Sequence, residues 1–152
     1  RYIENESENP LPDMFRIEYK DVNYRYLRNT IISYIQQENV FADYLTILDN
    51  VSITESNTDL INNNFENFDI LDKLNKKSFE LSGGQRQKCS FIRGIIKKSQ
   101  VLLVDEPTSN MDKKTELITF KLLKEISKTK LVIVVLPAPC GPSTIINFEF
   151  AI

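Results

Sequence analysis

Two continuous apolar runs, VLLV at residues 101–104 and LVIVVL at residues 131–136, constrain this chain more than any other feature. A strand with one wet face alternates apolar and polar residues. A run that is apolar at every position is covered on both faces, as the strands of a parallel sheet are. Between the runs, Asp112 is placed to cap a helix, with Leu117, Phe120 and Leu123 on its inner side. Before the first run, Cys89, Ile92 and Ile96 share one helical stripe, and Lys97 and Lys98 follow at its C-terminal end, where cations suit the helix dipole. The order helix, strand, helix, strand predicts an α/β fold with a mostly parallel sheet.

The chain has 152 residues, enough for one domain with a sizeable core. Apolar residues make up 41% and charged residues 26%, ordinary values for a globular protein. A net charge of −2 supplies no bulk field for nucleic acid or anionic lipid. There is no His, and Cys89 and Cys140 have no C-x-x-C spacing, which argues against a zinc site. The apolar runs are far too short to span a bilayer. RYIENESENP has no signal-peptide pattern, and Arg1 in place of Met is expected of a processed chain or a piece of something longer.

The remaining segments read as follows. FRIEY (residues 15–19) alternates like a short exposed strand, and TIISYI (30–35) is a better, β-branched strand. From 41 to 75 the pattern is helical, with Phe65, Phe68, Leu71 and Leu74 on one apolar face and NNN (62–64) as a loop or helix boundary. PAPCGP (137–142) excludes regular structure, and TIINFEF (144–150) has the pattern of a last edge strand.

Two motifs carry chemistry. In LSGGQ (81–85), Ser82 and Gln85 form an S-x-x-Q capping box, which by itself is wholly structural. Gly83 and Gly84 are poor residues for a first helical turn. They make sense where something must approach the backbone, because free N–H groups at a helix N-terminus bind anions. In VLLVDEPTSNMD (101–112), a buried strand ends in Asp105 and Glu106. Acids in such a place are often just solvated. Ligands of open α/β sheets, however, bind at the carboxyl ends of the strands. There Asp105 can hold magnesium through water, and Glu106 can take a proton from an attacking water.

The two motifs together, with 23 residues from Ser82 to Asp105, resemble the ATP-binding cassette (ABC) family, the nucleotide-binding domain of ABC transporters. LSGGQRQK is similar to its signature, and LLVDEPTSNMD to its Walker B strand and D-loop. IISYIQQENVFADYLTILDNV (31–51) resembles the Q-loop and the start of the helical subdomain, with Gln37 at the Q-loop position. The likeness covers about residues 15 to 135.

The resemblance implies a partial P-loop NTPase-type ABC ATPase fold. Residues 1–37 would be part of the core β region, 38–80 the helical subdomain, 81–135 the signature, Walker B and D-loop core, and 136–152 an atypical tail. It implies ATP and Mg2+ as cofactors. Ser82, Gly83, Gly84 and Gln85 would contact the γ-phosphate of an ATP held by a second nucleotide-binding domain. Gln37 would touch magnesium and the attacking water and report to a transmembrane permease. Asp105 would support magnesium, Glu106 would be the catalytic base, and Asp112 would cross the dimer interface. The protein would sit on the cytoplasmic side of the membrane through its permease, coupling ATP hydrolysis to transport, with no nucleic-acid partner expected. The alternatives are a soluble, non-transport ABC ATPase, or a non-catalytic gene remnant. Leu81 lies only 44 positions after Gln37, which leaves no room for a long coiled-coil insertion and favours the transporter type.

Three features depart from the family. No G-x-x-x-x-G-K-[ST] occurs, and the four glycines, Gly83, Gly84, Gly94 and Gly141, do not supply one. That loop cradles the β- and γ-phosphates. In the family it lies further upstream of the Q-loop than the 36 residues that precede Gln37 here. The adenine-stacking aromatic, still further upstream, is missing with it. After LVIVV comes Leu-Pro-Ala rather than the family's Thr-His-Asp. The expectation is a chain that is inactive alone, whose last residues, from 136 on, come from a shifted reading frame or misassembled gene and pack poorly apart from strand pairing.

Overall fold

The computed structural model describes residues 22–38, 40–136 and 144–148, the last of these by backbone alone. The expected strand at 15–19 and the loop at 137–142 lie outside the described residues. A three-residue helix, α1 (Tyr24–Tyr26), runs into a π-helical turn, Leu27–Ile31, and then into β1, Ile32–Ile35. The expected strand at 30–35 thus loses its first two residues to the turn. The other strands are β2 (Val101–Asp105), β3 (Leu131–Leu136) and β4 (Thr144–Phe148).

The sheet order is β1-β2-β3-β4. β1, β2 and β3 are parallel, with Ile35 opposite Val104 and Asp105 opposite Val135. β4 pairs antiparallel with β3, from Leu136↔Thr144 to Val132↔Phe148, as the edge strand expected from TIINFEF. One face of the sheet carries Ser33, Ile35, Leu102, Val104, Val132 and Val134, all buried. The residues alternating with them stay half-buried or exposed. The runs at 101–104 and 131–136 are therefore less evenly covered among the described residues than their composition predicts.

The central element is α4, Gly83–Ile96. Its C-terminal half lies on β1, where the buried Ser33 hydroxyl donates to the Gly94 carbonyl across 2.7 Å. A Cβ on Gly94 would fall 2.3 Å from Ile35 Cγ1, so the helix reaches this depth only with glycine there. Its other side packs on the helical segment, with the Phe68 and Phe91 rings 5.7 Å apart and tilted by 54°. Covered on both sides, α4 buries Gln87, Cys89, Ser90, Phe91, Ile92, Gly94, Ile95 and Ile96. Each large apolar side chain taken fully out of water, Phe65, Phe91 and Ile92 among them, contributes roughly 1.5–3 kcal/mol. Burial also pushes the Cys89 thiol up to about 12, leaving it an inert packing group.

The helical segment is broken where one long pattern was expected. α2 (Ile47–Ser52) and α3 (Thr58–Asn67) are followed by 3-10 turns at Leu71–Lys73 and Ser78–Glu80. NNN sits inside α3 rather than at its boundary, its helix capped by the Asn57 side chain. Just past the C-cap of α3, Phe68, comes Asp69 with a φ of 55°, and the Ile70 N–H reaches back to the Phe65 carbonyl at 3.0 Å. This closure turns the chain, so Phe65, Phe68 and Leu74 are buried while Leu71 is 41% exposed. Thr46 and Lys77 form an antiparallel bridge that pins the two ends of the segment together. In α5 (Lys113–Ile126) the inner side is Thr115, Thr119 and Leu123, and Leu117 points outward at 57% exposure. Asp112 caps α5 as expected, accepting from the Thr115 N–H.

Candidate functional site

The parallel register carries Gln37 and Glu106 to equivalent places. Each lies two residues beyond the pair Ile35↔Val104. There the Gln37 amide Nε2 donates to Glu106 Oε2 across 2.6 Å. One residue earlier on β2, Asp105 Oδ2 accepts from the Tyr34 hydroxyl at 3.4 Å. The Tyr34 phenol is held above its ordinary pKa, first by partial desolvation and then by the Asp105 carboxylate. Two carboxylates and an amide thus stand together at the carboxyl ends of adjacent parallel strands, the usual ligand position in such sheets.

Glu106 is where the strand turns. Its N–H still bonds to the Val135 carbonyl, at 3.0 Å, but its φ is 46°. A side chain with a Cβ in the left-handed region costs about 1–2 kcal/mol. The position is also unusual because Pro107 follows, and pre-proline residues prefer extended backbone. Such strain persists only where the surroundings hold it.

The signature residues occupy a second group at the N-terminus of α4. Ser82 is the N-cap, and the capping box is closed in both directions. Ser82 Oγ accepts from the Gln85 N–H at 3.3 Å, and Gln85 Oε1 accepts from the Ser82 N–H at 3.0 Å. The structural reading of S-x-x-Q therefore holds. The two glycines differ. A Cβ on Gly84 would stand 2.8 Å from the Asn110 carbonyl oxygen, whereas one on Gly83 would meet nothing within 4 Å. Gly84 is demanded by the chain's own packing, and Gly83 leaves backbone open at a helix N-terminus.

Sequence reasoning missed the residues that join the groups. Gln87, 3% exposed, bonds to Glu106, Ser109 and Asn110. The Lys88 ammonium lies 3.9 Å from Asp112 Oδ2. A Gln spaced with Phe91 and Ile95 on the buried face of a helix was the available signal for Gln87. Asp112 sits beside this loop, its carboxyl held below the ordinary range chiefly by the Thr115 N–H and hydroxyl. Arg93, whose guanidinium lies 4.7 Å from the Phe41 ring centre, ties α4 to the segment after Gln37 by donating to the Val40 carbonyl at 2.8 Å.

The donors at 37, 105 and 106 are hard oxygen ligands. No group of three or more His, Cys, Asp or Glu that could hold a metal occurs among the described residues. One or two carboxylates without a full cage suit magnesium, which keeps its waters and takes its other ligands from phosphates. A shallow depression lined by Glu66, Asp69, Leu71 and Asp72 belongs to the helical segment and involves none of these donors.

Residues 6–109 match the family model described as "ABC transporter". The chain belongs to the ABC transporter family. It is 32% identical over 124 residues to the lipoprotein-releasing system ATP-binding protein LolD of Ehrlichia chaffeensis, a match covering 76% of this chain and 53% of that protein. It is 28% identical over 138 residues to the glutamine transport ATP-binding protein GlnQ of Geobacillus stearothermophilus, covering 85% and 57%. The chain thus spans about half the length of these curated relatives. An ATP-binding cassette solved as a dimer in a post-hydrolysis state with ADP and Pi superposes with a TM-score of 0.68 at 24% identity, over 80% of this chain and 58% of that one. That likeness shows the fold, an ABC ATPase cassette with its parallel sheet and helices. Both of these curated relatives are named as ATP-binding proteins. No helix among the described residues is long and apolar enough to cross a membrane.

Proposed function

We propose that this chain is a portion of the ATP-hydrolysing subunit of an ABC transporter, carrying the catalytic carboxylate and the signature but no phosphate cradle of its own. The observation that supports it most is the bond from the Gln37 amide to the Glu106 carboxylate at 2.6 Å, at the carboxyl ends of β1 and β2. Glu106 is the general base. A water oxygen attacks the γ-phosphorus, the bond from that phosphorus to the β–γ bridging oxygen breaks, and Glu106 accepts the water's proton as ADP and phosphate separate. Gln37 orients the Glu106 carboxylate and the water. Asp105, steadied by Tyr34, is the residue that would hold Mg2+ through water, and the ion would neutralise phosphate charge.

The signature acts on a second cassette. Ser82, the open backbone at Gly83, Gly84 and Gln85 form a helix N-terminus suited to the γ-phosphate of ATP bound by that partner. Asp112, on the loop beside α4, faces the partner. The bridged helical segment, residues 38–80, is the part that meets a permease at the cytoplasmic side of the membrane, with residues 1–37 and 81–135 forming the catalytic core and 136–152 an atypical tail.

The test supplies the missing cradle. This chain is fused behind a Walker A segment from a relative, and steady phosphate release is measured. Glu106→Gln should lower turnover by about 100-fold or more, the range for removing a general base. Turnover unaffected by Glu106→Gln would remove Glu106 from the reaction.

A further inference from the structure

Glu106 holds a left-handed backbone immediately before a proline, and something must hold it there. The neighbouring helix supplies it. Gln87 Nε2 donates to the Glu106 carbonyl at 3.1 Å and to Ser109 Oγ at 3.2 Å, and Gln87 Oε1 accepts from the Asn110 N–H at 3.0 Å. One buried amide thus uses both donors and its acceptor on a single turn. Ser109 Oγ also donates to the Glu106 carbonyl, at 3.4 Å, which closes the network. Gly84, one turn earlier on α4, lets the Asn110 carbonyl approach closely enough for these bonds to form.

We propose that Gln87 is a positioning residue that sets the backbone of Glu106, and with it the direction of the carboxylate, from the first turns of the signature helix. The helix and the 106–110 turn then move as one body, so a displacement of the signature displaces the base of the same chain. The consequence for hydrolysis rests on the reading of Glu106 as base. The geometric claim does not, and the experiment addresses the geometry, so the two fail separately.

The experiment is solution NMR on this chain with two substitutions. Gln87→Met keeps the volume and removes every hydrogen bond. Gln87→Glu keeps the acceptor for the Asn110 N–H and loses both donors when ionised. In wild type the Glu106 carbon shifts should carry the left-handed signature, and the Asn110 amide should be protected from exchange. In Gln87→Met the signature should vanish and the Asn110 amide exchange about tenfold faster, the effect of losing one buried hydrogen bond, with Leu102 in β2 unchanged. In Gln87→Glu the Glu106 signature should vanish while Asn110 stays protected, a split that a mere space-filler does not produce. Should Gln87→Met not fold, Gln87→Glu decides alone. A Glu106 signature unchanged in the variants that fold, or Asn110 losing protection in Gln87→Glu as well, overturns the proposal.

Discussion

Gln37 and Glu106, 69 positions apart in the chain, meet side chain to side chain at 2.6 Å because β1 and β2 run parallel with Ile35 opposite Val104. The register brings the two strand ends side by side. The loop that would hold a triphosphate over them is absent from the sequence. Backbone amides and a lysine on the phosphates supply much of the affinity of P-loop proteins. The chain alone should therefore show no saturable Mg-ATP binding in the micromolar range by titration calorimetry. Its phosphate release should equal that of a Glu106→Gln control. Micromolar affinity, or a turnover that Glu106→Gln abolishes, would contradict this.

Asp69 closes α3 in the left-handed region, with φ of 55°, where glycine is at ease. Among the described residues its ion pair is with Lys114, at 3.0 Å, which joins two highly exposed side chains and contributes little. Asp69→Gly should raise stability by ~1 kcal/mol, read as a higher urea midpoint at unchanged slope. A lower midpoint would mean that the Lys114 pair outweighs the backbone strain.

The sequence made legible what depends on local chemistry and what depends on motif. The caps at Ser82 and Asp112, the strands at 101–105 and 131–136, and the edge strand after the proline-rich stretch are all read from a few adjacent residues. The helical segment was read too long. A three-residue spacing continues through Phe65, Phe68, Leu71 and Leu74, and nothing local announces that a non-glycine, Asp69, takes positive φ. The backbone closure of the Ile70 N–H on the Phe65 carbonyl, around the left-handed Asp69, made that turn. Leu117 fell on the wrong side of α5 because Thr115 and Thr119, not leucines, face inward with Leu123. In the site, an acid pair at the end of a buried strand pointed to Asp105 and Glu106, and Gln37 came only from the resemblance of residues 31–51 to the Q-loop. Gln87 escaped because its importance is a matter of three partners from a distant turn, which no spacing records.

Asp112 gives the acid limb of stability a defined sign. Its carboxyl is held below the ordinary range, chiefly by the Thr115 N–H, then by the Thr115 hydroxyl, with Lys88 adding to the effect. A depressed carboxyl contributes stability that is full above its unfolded pKa, about 4. That contribution is lost as pH falls through the lower folded value. Asp112→Asn keeps a capping side chain and removes the charge. Wild type should be the more stable at pH 7, and the gap should close as pH drops below about 4. Urea unfolding at a series of pH values measures it. A gap that persists in acid would assign the effect to packing rather than charge.

Gly83 and Gly84 are adjacent in one helical turn, yet they should respond oppositely to a methyl group. At Gly84 the new Cβ would stand 2.8 Å from the Asn110 carbonyl oxygen, a backbone atom whose own N–H is fastened to Gln87. That neighbour cannot yield without dragging the 106–110 turn, so Gly84→Ala should cost about 1–3 kcal/mol. At Gly83 nothing lies within 4 Å. Gly83→Ala should leave stability unchanged or raise it by no more than about 1 kcal/mol, because alanine is the better helix former. Urea midpoints of the two variants decide the structural half. The functional half follows in the chain fused to a Walker A segment. There Gly83→Ala places a methyl on the open backbone face proposed to meet the partner's γ-phosphate, and ATP-driven pairing should weaken although the fold is intact. Equal losses of stability at both positions would show that the helix, and not the Asn110 carbonyl, demands glycine. Undiminished pairing in Gly83→Ala would show that no phosphate approaches there.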